Sequence, residues 1–492
     1  MELDGVAESL KDKCIFITGS TGFLAKIFVE KVLRIQPDVK KVFLLVRAAD
    51  TNSANRRLQD EVISKQLFDV LREKHREEFN SFFTEKVSPI AGDITIENLG
   101  IRDTDLRETL WNKIDIVMNV AATTNFYERY DVALNINVLG AKHVLEFAKK
   151  CPKLEMLLHV STAYVAGVRE GIILEKAFHM GETLKGGFDL DIEKELKLVE
   201  DKKRELYTDN NAEKDVQRSA MKELGLQRAK TFGWPNTYVF TKAMGEMLLG
   251  HLRGDLPLVI LRPTIITSIY KEPLPGWIEG TRTIDSLIIG YVKGKLPCFF
   301  GDQELIMDVI PGDMVVNCML FAITYHLNQR SQFIYHICSS TSNPVKYTTL
   351  ERCGFKYFTE NPRIGKNGEP IKTRRIPVFK KMYLFRAYMA LRYWLPLEAL
   401  HLVNVVLFQL FSEQYSMLSR KYKFVMRLVD LYEPYAYFRG CFDDINTEYL
   451  RMAMAKENSK DSKIFDFDTK NINWEDYLYD VHIPGVLKYV CK

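Results

Sequence analysis

Tyr238 and Lys242 stand four residues apart in the stretch GWPNTYVFTKAMGE, which runs from Gly233 to Glu246. Pro235 and Asn236 set a turn before a helical pattern, and on a helix an i,i+4 pair projects from one face within mutual reach. A free phenol ionises near pH 10, and a neighbouring ammonium favours its ionised form. Such a pair can give a proton to an oxyanion near neutral pH. Many helices carry this spacing by chance, so the pair takes its meaning from its company. Upstream, His159-Val-Ser-Thr-Ala-Tyr-Val165 delivers two small hydroxyls, Ser161 and Thr162, to the end of an apolar run. The nine histidines and eight scattered cysteines show no metal-ligand spacing, so no metal is expected.

A second group of residues points to a dinucleotide. The run CIFIT (14–18) leads into Thr18-Gly-Ser-Thr-Gly-Phe-Leu-Ala25, followed by the helical pattern KIFVEKVLRI. In a strand, glycine-rich turn and helix unit, Gly19 allows the tight turn and Gly22 lets the backbone approach a pyrophosphate facing the helix N-terminus. Thr18, Thr21, Phe23 and Leu24 complete that candidate turn, and Ala25 stands where the fingerprint has its third glycine or alanine. The second run, VFLLVRAAD, ends on Arg47 rather than on an acid. A guanidinium there suits a 2′-phosphate, so NADPH is expected over NADH. Asp93 and Ile94, then Asn119 and Ala121, end the third and fourth runs at the same edge. Pro263, in LPLVILRPTII (256–266), and Lys242 complete the cofactor set.

These positions need a scaffold, and the pattern of apolar runs supplies one. Six runs rich in valine, isoleucine and leucine, at 14–18, 41–46, 86–93, 114–122, 155–165 and 256–266, alternate with helical patterns. Runs apolar on both faces predict an α/β fold with a doubly wound parallel sheet. A polar, charge-dense insertion at about 168–232 reads as two helices, the first capped by Asp189 or Asp191, either as a solvated appendage or as part of a substrate site. The sheet signal fades after LIMDVIPGDMVVNCMLFAITYH, and turn-formers follow. The expected organisation is a dinucleotide-binding reductase domain over 11–345 and a mainly helical domain over 346–492. Within the latter, KKMYLFRAYMALRYWLPLEALHLVNVVLFQLF (380–411) is broken by Arg386, Arg392, Glu398 and His401. It is either a buried helical pair or an interfacial membrane contact, because Lys372, Arg374, Arg375, Lys380 and Lys381 lie just before or at its start.

With 492 residues, 47% hydrophobic and 27% charged, the composition is globular and leaves room for two domains. A net charge of +4 argues against a dedicated nucleic-acid binder. Scattered thiols fit a reducing, cytosolic setting, and the acidic start MELDGVAESLKDK fits neither a signal nor a transit peptide.

The order of glycine turn, Asn-x-Ala-Ala strand end, hydroxyl-bearing fifth strand and Tyr-x-x-x-Lys resembles the extended short-chain dehydrogenase/reductases over about the first 340 residues, which implies a Rossmann-like sheet. By that resemblance Thr162 hydrogen-bonds the reacting carbonyl, Tyr238 donates the proton, and Lys242 holds the nicotinamide ribose and acidifies the phenol. Ser161 is the neighbouring candidate; Thr162 is favoured because it lies five residues before Gly167. TGFLAK, the long insertion, GWPNTYVFTKAMGE, LRPTIITS, EPLPGW, DMVVN and LYEPYAYFRGCFDDINTEYLR together resemble the alcohol-forming fatty acyl-CoA reductases, especially their plant branch. Gly312, Leu274 and Tyr127 depart from that family's usual residues and bear on chain-length preference.

The closer resemblance implies two NADPH-dependent reductions of a long-chain acyl-CoA to a primary alcohol, through a retained aldehyde and with release of coenzyme A. It also implies products for wax, suberin or related barrier lipids, and a peripheral place on the cytosolic face of the endoplasmic reticulum. The rival readings are a reductase that stops at the aldehyde, an enzyme acting on a sugar nucleotide or sterol, and a non-catalytic NADP-binding scaffold. EPLPGW (272–277) is either a substrate loop or a packing turn.

Overall fold

Strands rich in branched residues are stable in a parallel sheet only when both faces are covered, and that is how this chain uses them. The computed structural model describes all residues except 1–4, 188, 209–213, 282, 295, 365–367, 371, 458–460 and 492. Seven parallel strands form its main sheet: β1 (Cys14–Thr18), β2 (Lys41–Arg47), β3 (Val87–Gly92), β4 (Ile116–Asn119), β5 (Met156–Val160), β6 (Leu258–Pro263) and β7 (Gln332–Ile337). Their order across the sheet is 3-2-1-4-5-6-7. The direction of winding therefore reverses between β1 and β4, and a crevice opens there at the carboxyl ends of the strands.

Alternate residues of β1 enter different cores. Ile15 and Ile17 pack with helices α1 (Phe23–Ile35) and α6 (Gly312–Tyr325), whereas Cys14 and Phe16 pack with α2 (Gly140–Lys149) on the opposite face. Between α2 and α6 in the chain come α3 (Ile192–Thr208), α4 (Lys214–Phe232) and α5 (Thr237–Leu252). At Gly312 a Cβ would lie 2.6 Å from the Phe23 ring, so glycine lets α6 approach α1.

The first six strands fall on the runs read from the sequence, β2 reaching one residue further to Arg47, but the sheet does not stop where that signal fades. β7 follows, with Tyr335 and His336 interrupting its apolar pattern. Both polar groups find partners: the Tyr335 hydroxyl meets nearby His326, and His336 Nδ1 lies 2.9 Å from the carbonyl oxygen of distant Asp443.

The charged insertion does form two helices, α3 and α4, with Asp191 as the cap: its carboxylate accepts the Lys194 N–H at 3.1 Å. It is more than a solvated appendage. Val199, Met221, Ala229 and Phe232 are buried with Tyr130 and Phe240 of the main body. Glu195 ties the layers together, pairing with Arg228 and accepting from the Tyr130 hydroxyl at 2.7 Å.

After β7 the chain forms a helical hairpin, α7 (Leu395–Val406) and α8 (Ser412–Ala436). The outer surface of this hairpin is not buried, which corrects the reading of 380–411 as a buried helical pair. Phe408 is 96% exposed, Val406 74% and Leu410 72%. Among the described residues no helix is long and apolar enough to cross a membrane. The chain then returns to the main body. Gly440–Phe442 pairs parallel with Gly171–Ile173, and Leu450, Phe467, Tyr477, Ile483 and Val486 enter the same apolar core as α1 and α6.

Candidate active site

The nucleotide end is built at the winding reversal. Gly19 has φ of +67°, and a Cβ there would lie 2.7 Å from the Ala121 backbone. Only glycine fits that close approach without displacement. The Thr18 hydroxyl lies 2.8 Å from Asn119 Oδ1 and accepts the Ala121 N–H at 3.3 Å, so Thr18, Asn119 and Ala121 lock β1 to β4. Gly22 opens α1 without any side-chain cap. The backbone N–H groups of the first turn thus face the crevice, an arrangement that fits a pyrophosphate. Phe23 and Leu24 bury their side chains under this turn, and Thr21 is partly exposed on it.

Arg47 ends β2 with an exposed side chain, opposite Gly92 in register. Asp93 follows β3, where its carboxylate accepts the Thr95 N–H and hydroxyl at 2.9 Å each, and Ile94 is buried beside it. All these positions lie at the carboxyl edge of the sheet, with Pro263 at the end of β6. Among the described residues no cluster of side chains could hold a metal ion.

The chemical end adjoins this edge. Asn236 caps α5, its side-chain oxygen accepting the Val239 N–H at 3.1 Å, and Trp234 Nε1 donates to the Val165 carbonyl at 2.7 Å. The GWPN lead-in therefore fixes the helix that carries Tyr238 and Lys242 against the segment that follows β5. Tyr238, in the first turn of α5, is partly buried and runs nearly parallel to the Phe126 ring at 6.0 Å. A cavity of about 150 Å³ is lined by Ser161, Thr162, Tyr238 and Pro263, and by the aromatic rings of Phe126, Tyr164, Tyr432 and Tyr435. The Thr162 hydroxyl donates weakly to the Pro263 carbonyl at 3.3 Å, and Ser161 Oγ has no hydrogen-bond partner among the described residues. Two hydroxyls and a phenol thus converge where a carbonyl oxygen would need donors.

One turn beyond Tyr238, Lys242 is buried and donates to the Val160 carbonyl at 2.7 Å. Burial holds its pKa down to about 8, against the opposing charge of Glu246, which Arg262 also engages. Burial also pushes the phenols of Tyr164 and Tyr435 well above the ordinary value, so these two stay neutral near pH 7.

Several of these residues carry no motif that marks them. Tyr432 and Tyr435 come from α8, nearly two hundred residues after Tyr238, and Tyr435 accepts a hydrogen bond from Asn236 at 2.7 Å. Their only trace is the aromatic density of LYEPYAYF. His159, 3.1 Å from Lys242 through Nε2, sits inside an apolar run. The EPLPGW turn makes packing and ion-pair contacts. It lines no part of the Tyr238 cavity among the described residues; Trp277 stacks on Phe23 at 5.3 Å, and Glu272 pairs with Lys31 and Arg34.

Comparison with known proteins gives a consistent result. Two family models, both described as male sterility protein, match residues 17–319, the NAD-binding part, and 392–492. The chain is 52% identical to the probable fatty acyl-CoA reductase 4 of Arabidopsis thaliana over 98% of both chains. It is 50% identical to the alcohol-forming fatty acyl-CoA reductase of Simmondsia chinensis over 99% of each. Among solved structures, the terminal reductase domain of the myxalamid biosynthetic pathway aligns with a TM-score of 0.56 and 17% identity, covering 99% of this chain and 95% of that one. A reductase domain of a non-ribosomal peptide synthetase from Mycobacterium tuberculosis aligns equally well, at 16% identity over 98% and 95%. At such identities the structural likeness speaks for the fold alone.

Proposed function

Because the chain belongs to the fatty acyl-CoA reductase family, we propose that it reduces a long-chain acyl-CoA to the primary alcohol, with NADPH as hydride donor, in the Tyr238 cavity. The observation that carries this reading is the convergence of Tyr238, Thr162 and Ser161 on one cavity beside a glycine turn shaped for a dinucleotide. When bound, the nicotinamide supplies the hydride. Thr162 and Tyr238 donate to the carbonyl oxygen as negative charge develops on it. The tetrahedral hemithioacetal then collapses, coenzyme A leaves as the thiolate, and an aldehyde remains. In the second reduction Tyr238 gives its proton to the alkoxide. Lys242, with its ammonium behind the phenol, would hold the ribose. The test is expression in a host that makes no long-chain alcohols, followed by lipid analysis. Primary alcohols are expected from the wild type and none from Tyr238→Phe. Unchanged alcohol from that variant would sink the mechanism, and aldehyde accumulating in its place would assign the one-step reaction.

The same proposal extends to where the product goes. The alcohol-forming plant relative at 50% identity supports a primary alcohol as product; we propose further that it is destined for wax, suberin or similar barriers and made on the cytosolic face of the endoplasmic reticulum. The α7–α8 hairpin supplies a membrane-contacting surface: Leu402, Val406, Phe408, Leu410 and Phe424 are exposed. Residues 380–428 hold eight basic and two acidic side chains, a net +6 in a chain of +4 overall. Apolar side chains ringed by cations match the interface of an anionic leaflet. In vesicle flotation the wild type is expected to rise with anionic vesicles, and Phe408→Glu with Leu410→Glu to stay behind. Equal flotation of both proteins excludes this surface, and a wild-type dimer split by the double change assigns it to self-association.

A further inference from the structure

Behind Lys242 lies a row of buried polar groups that the reaction as written does not use. Sheet register sets Thr18 beside Asn119 and Asn119 beside His159. Residues paired this way project from the same face of a sheet. Thr18 Oγ1 lies 2.8 Å from Asn119 Oδ1, Asn119 Nδ2 lies 3.0 Å from His159 Nδ1, and His159 Nε2 lies 3.1 Å from Lys242 Nζ. All four side chains are at most 2% exposed. Groups buried to that degree must satisfy one another, because water does not reach them.

A neutral imidazole has one donor and one acceptor nitrogen, and an amide can present either end. The row therefore has two self-consistent arrangements. With Lys242 as an ammonium, Nζ donates to His159 Nε2 and to the Val160 carbonyl. The imidazole proton then sits on Nδ1 and is donated to the Asn119 carbonyl oxygen, while the amide NH2 turns to Thr18. With Lys242 as an amine, Nζ accepts from Nε2–H, Nδ1 accepts from the Asn119 NH2, and the Thr18 hydroxyl donates to the amide oxygen. Passing from the first to the second releases one proton from the lysine–histidine pair and reverses the polarity of the row.

We propose that His159 is a positioning residue for Lys242, switching tautomer with the lysine's protonation so that this buried amine stays paired and aimed in both states. The surroundings leave it that task. Among the described residues the charged group felt by Lys242 besides His159 is Glu246, four residues on in its own helix, and Glu246 is shared with Arg262 of β6; Tyr238 stands one turn back on the same helix. Burial, then the Lys242 charge, holds the His159 pKa well below the ordinary value, so the ring remains neutral while the lysine titrates near pH 8.

The functional consequence rests on the reading of Lys242 as the cation behind Tyr238; the pairing itself does not. In cofactor-free protein labelled with 15N-histidine, the His159 signals are identified by their loss in His159→Gln. The Nδ1–H form is expected at low pH, giving way to Nε2–H with a midpoint near 8, and the switch should vanish in Lys242→Met. One tautomer from about pH 6 to about pH 10, beyond both limbs of an ordinary histidine, overturns the proposal.

The pH profile of NADPH-dependent reduction gives a second readout. The wild-type rate should fall as the ammonium is lost above about pH 8. Removing an acceptor disfavours the buried ammonium, so His159→Leu should move that limb down by about one pH unit. His159→Gln, which keeps an acceptor, should move it less. Coincident limbs in all three proteins also overturn the proposal. If Tyr238→Phe stays active while the tautomer still switches, the catalytic reading fails and the pairing stands.

Discussion

Arg47 shows how much one side chain at a strand end can decide. Its carbonyl accepts a hydrogen bond from Arg57 Nη1 at 2.6 Å, and Arg57 is itself held by Glu61. One guanidinium is thereby committed to the protein, and the exposed Arg47 stands open at the edge where the adenosine ribose of a dinucleotide would lie. Arg47→Asp should raise the KM for NADPH by at least about tenfold, the worth of one charge-assisted contact, with little change or a gain for NADH. Steady-state kinetics with both nucleotides checks this, and equal losses for both would take Arg47 out of the phosphate site. Gly19→Ala acts differently, since the added Cβ meets the Ala121 backbone. It should weaken both nucleotides alike and destabilise the fold by roughly 1–3 kcal/mol, seen by fluorescence titration and thermal melting. These residues were legible in the sequence because a turn chemistry or a spacing marks them. His159 was not, because Asn119 and Lys242, which give it meaning, lie 40 and 83 positions away.

The strands divide the same way. β1, β5 and β6 are buried along their whole length and read as unbroken apolar runs. β7 is just as parallel, but Tyr335 and His336 break its pattern, and the groups that satisfy them are His326 and a carbonyl from the chain's last fifth. No local signal could announce the Asp443 contact. α8 presents the same problem at the candidate site, where its tyrosines wall a cavity also lined by Ser161 and Thr162, just after β5, and by Tyr238 of α5. Asn236 joins the two, capping α5 with its oxygen and reaching Tyr435 with its nitrogen. Tyr435→Phe removes the tether and spares the cap. Because the buried Asn236 amide loses its acceptor, the change should cost about 1–3 kcal/mol and lower the melting temperature by a few degrees, while raising the fraction of product caught as free aldehyde by a hydrazine trap. No increase in trapped aldehyde would mean that α8 does not retain the intermediate. Asn236→Ala removes both contacts and should add about 1 kcal/mol of instability from the lost cap.

The molecule as a whole is closed by its own C-terminus, and the closing contact imitates a catalytic one. Ser268 Oγ lies 3.0 Å from His482 Nδ1, and His482 Nε2 lies 3.2 Å from Asp285 Oδ1, the residue types of a hydrolytic nucleophile. All three are fully buried, and the Tyr477 hydroxyl closes over the same serine at 3.1 Å. A nucleophile must reach its substrate, and this one reaches only protein. The set instead joins the segment after β6 and a helix of the reductase part to the final turns of the chain, beside the point where Gly485 packs on Gly276 with no room for a Cβ. Replacing His482 with alanine removes the Ser268 hydrogen bond and the close contact with Asp285 and leaves a cavity in a fully buried site, a loss of about 2–4 kcal/mol. In a chain this long that should lower the melting temperature by roughly 3–6 °C, with the KM for NADPH unchanged at low temperature. Ser268→Ala loses the hydroxyl's two neutral contacts, to His482 and Tyr477, and should keep full reductase activity. A catalytic triad would give the reverse pattern, with Ser268→Ala inactive and thermally unchanged, so melting curves and initial rates on these two variants decide between a weld and a second active site.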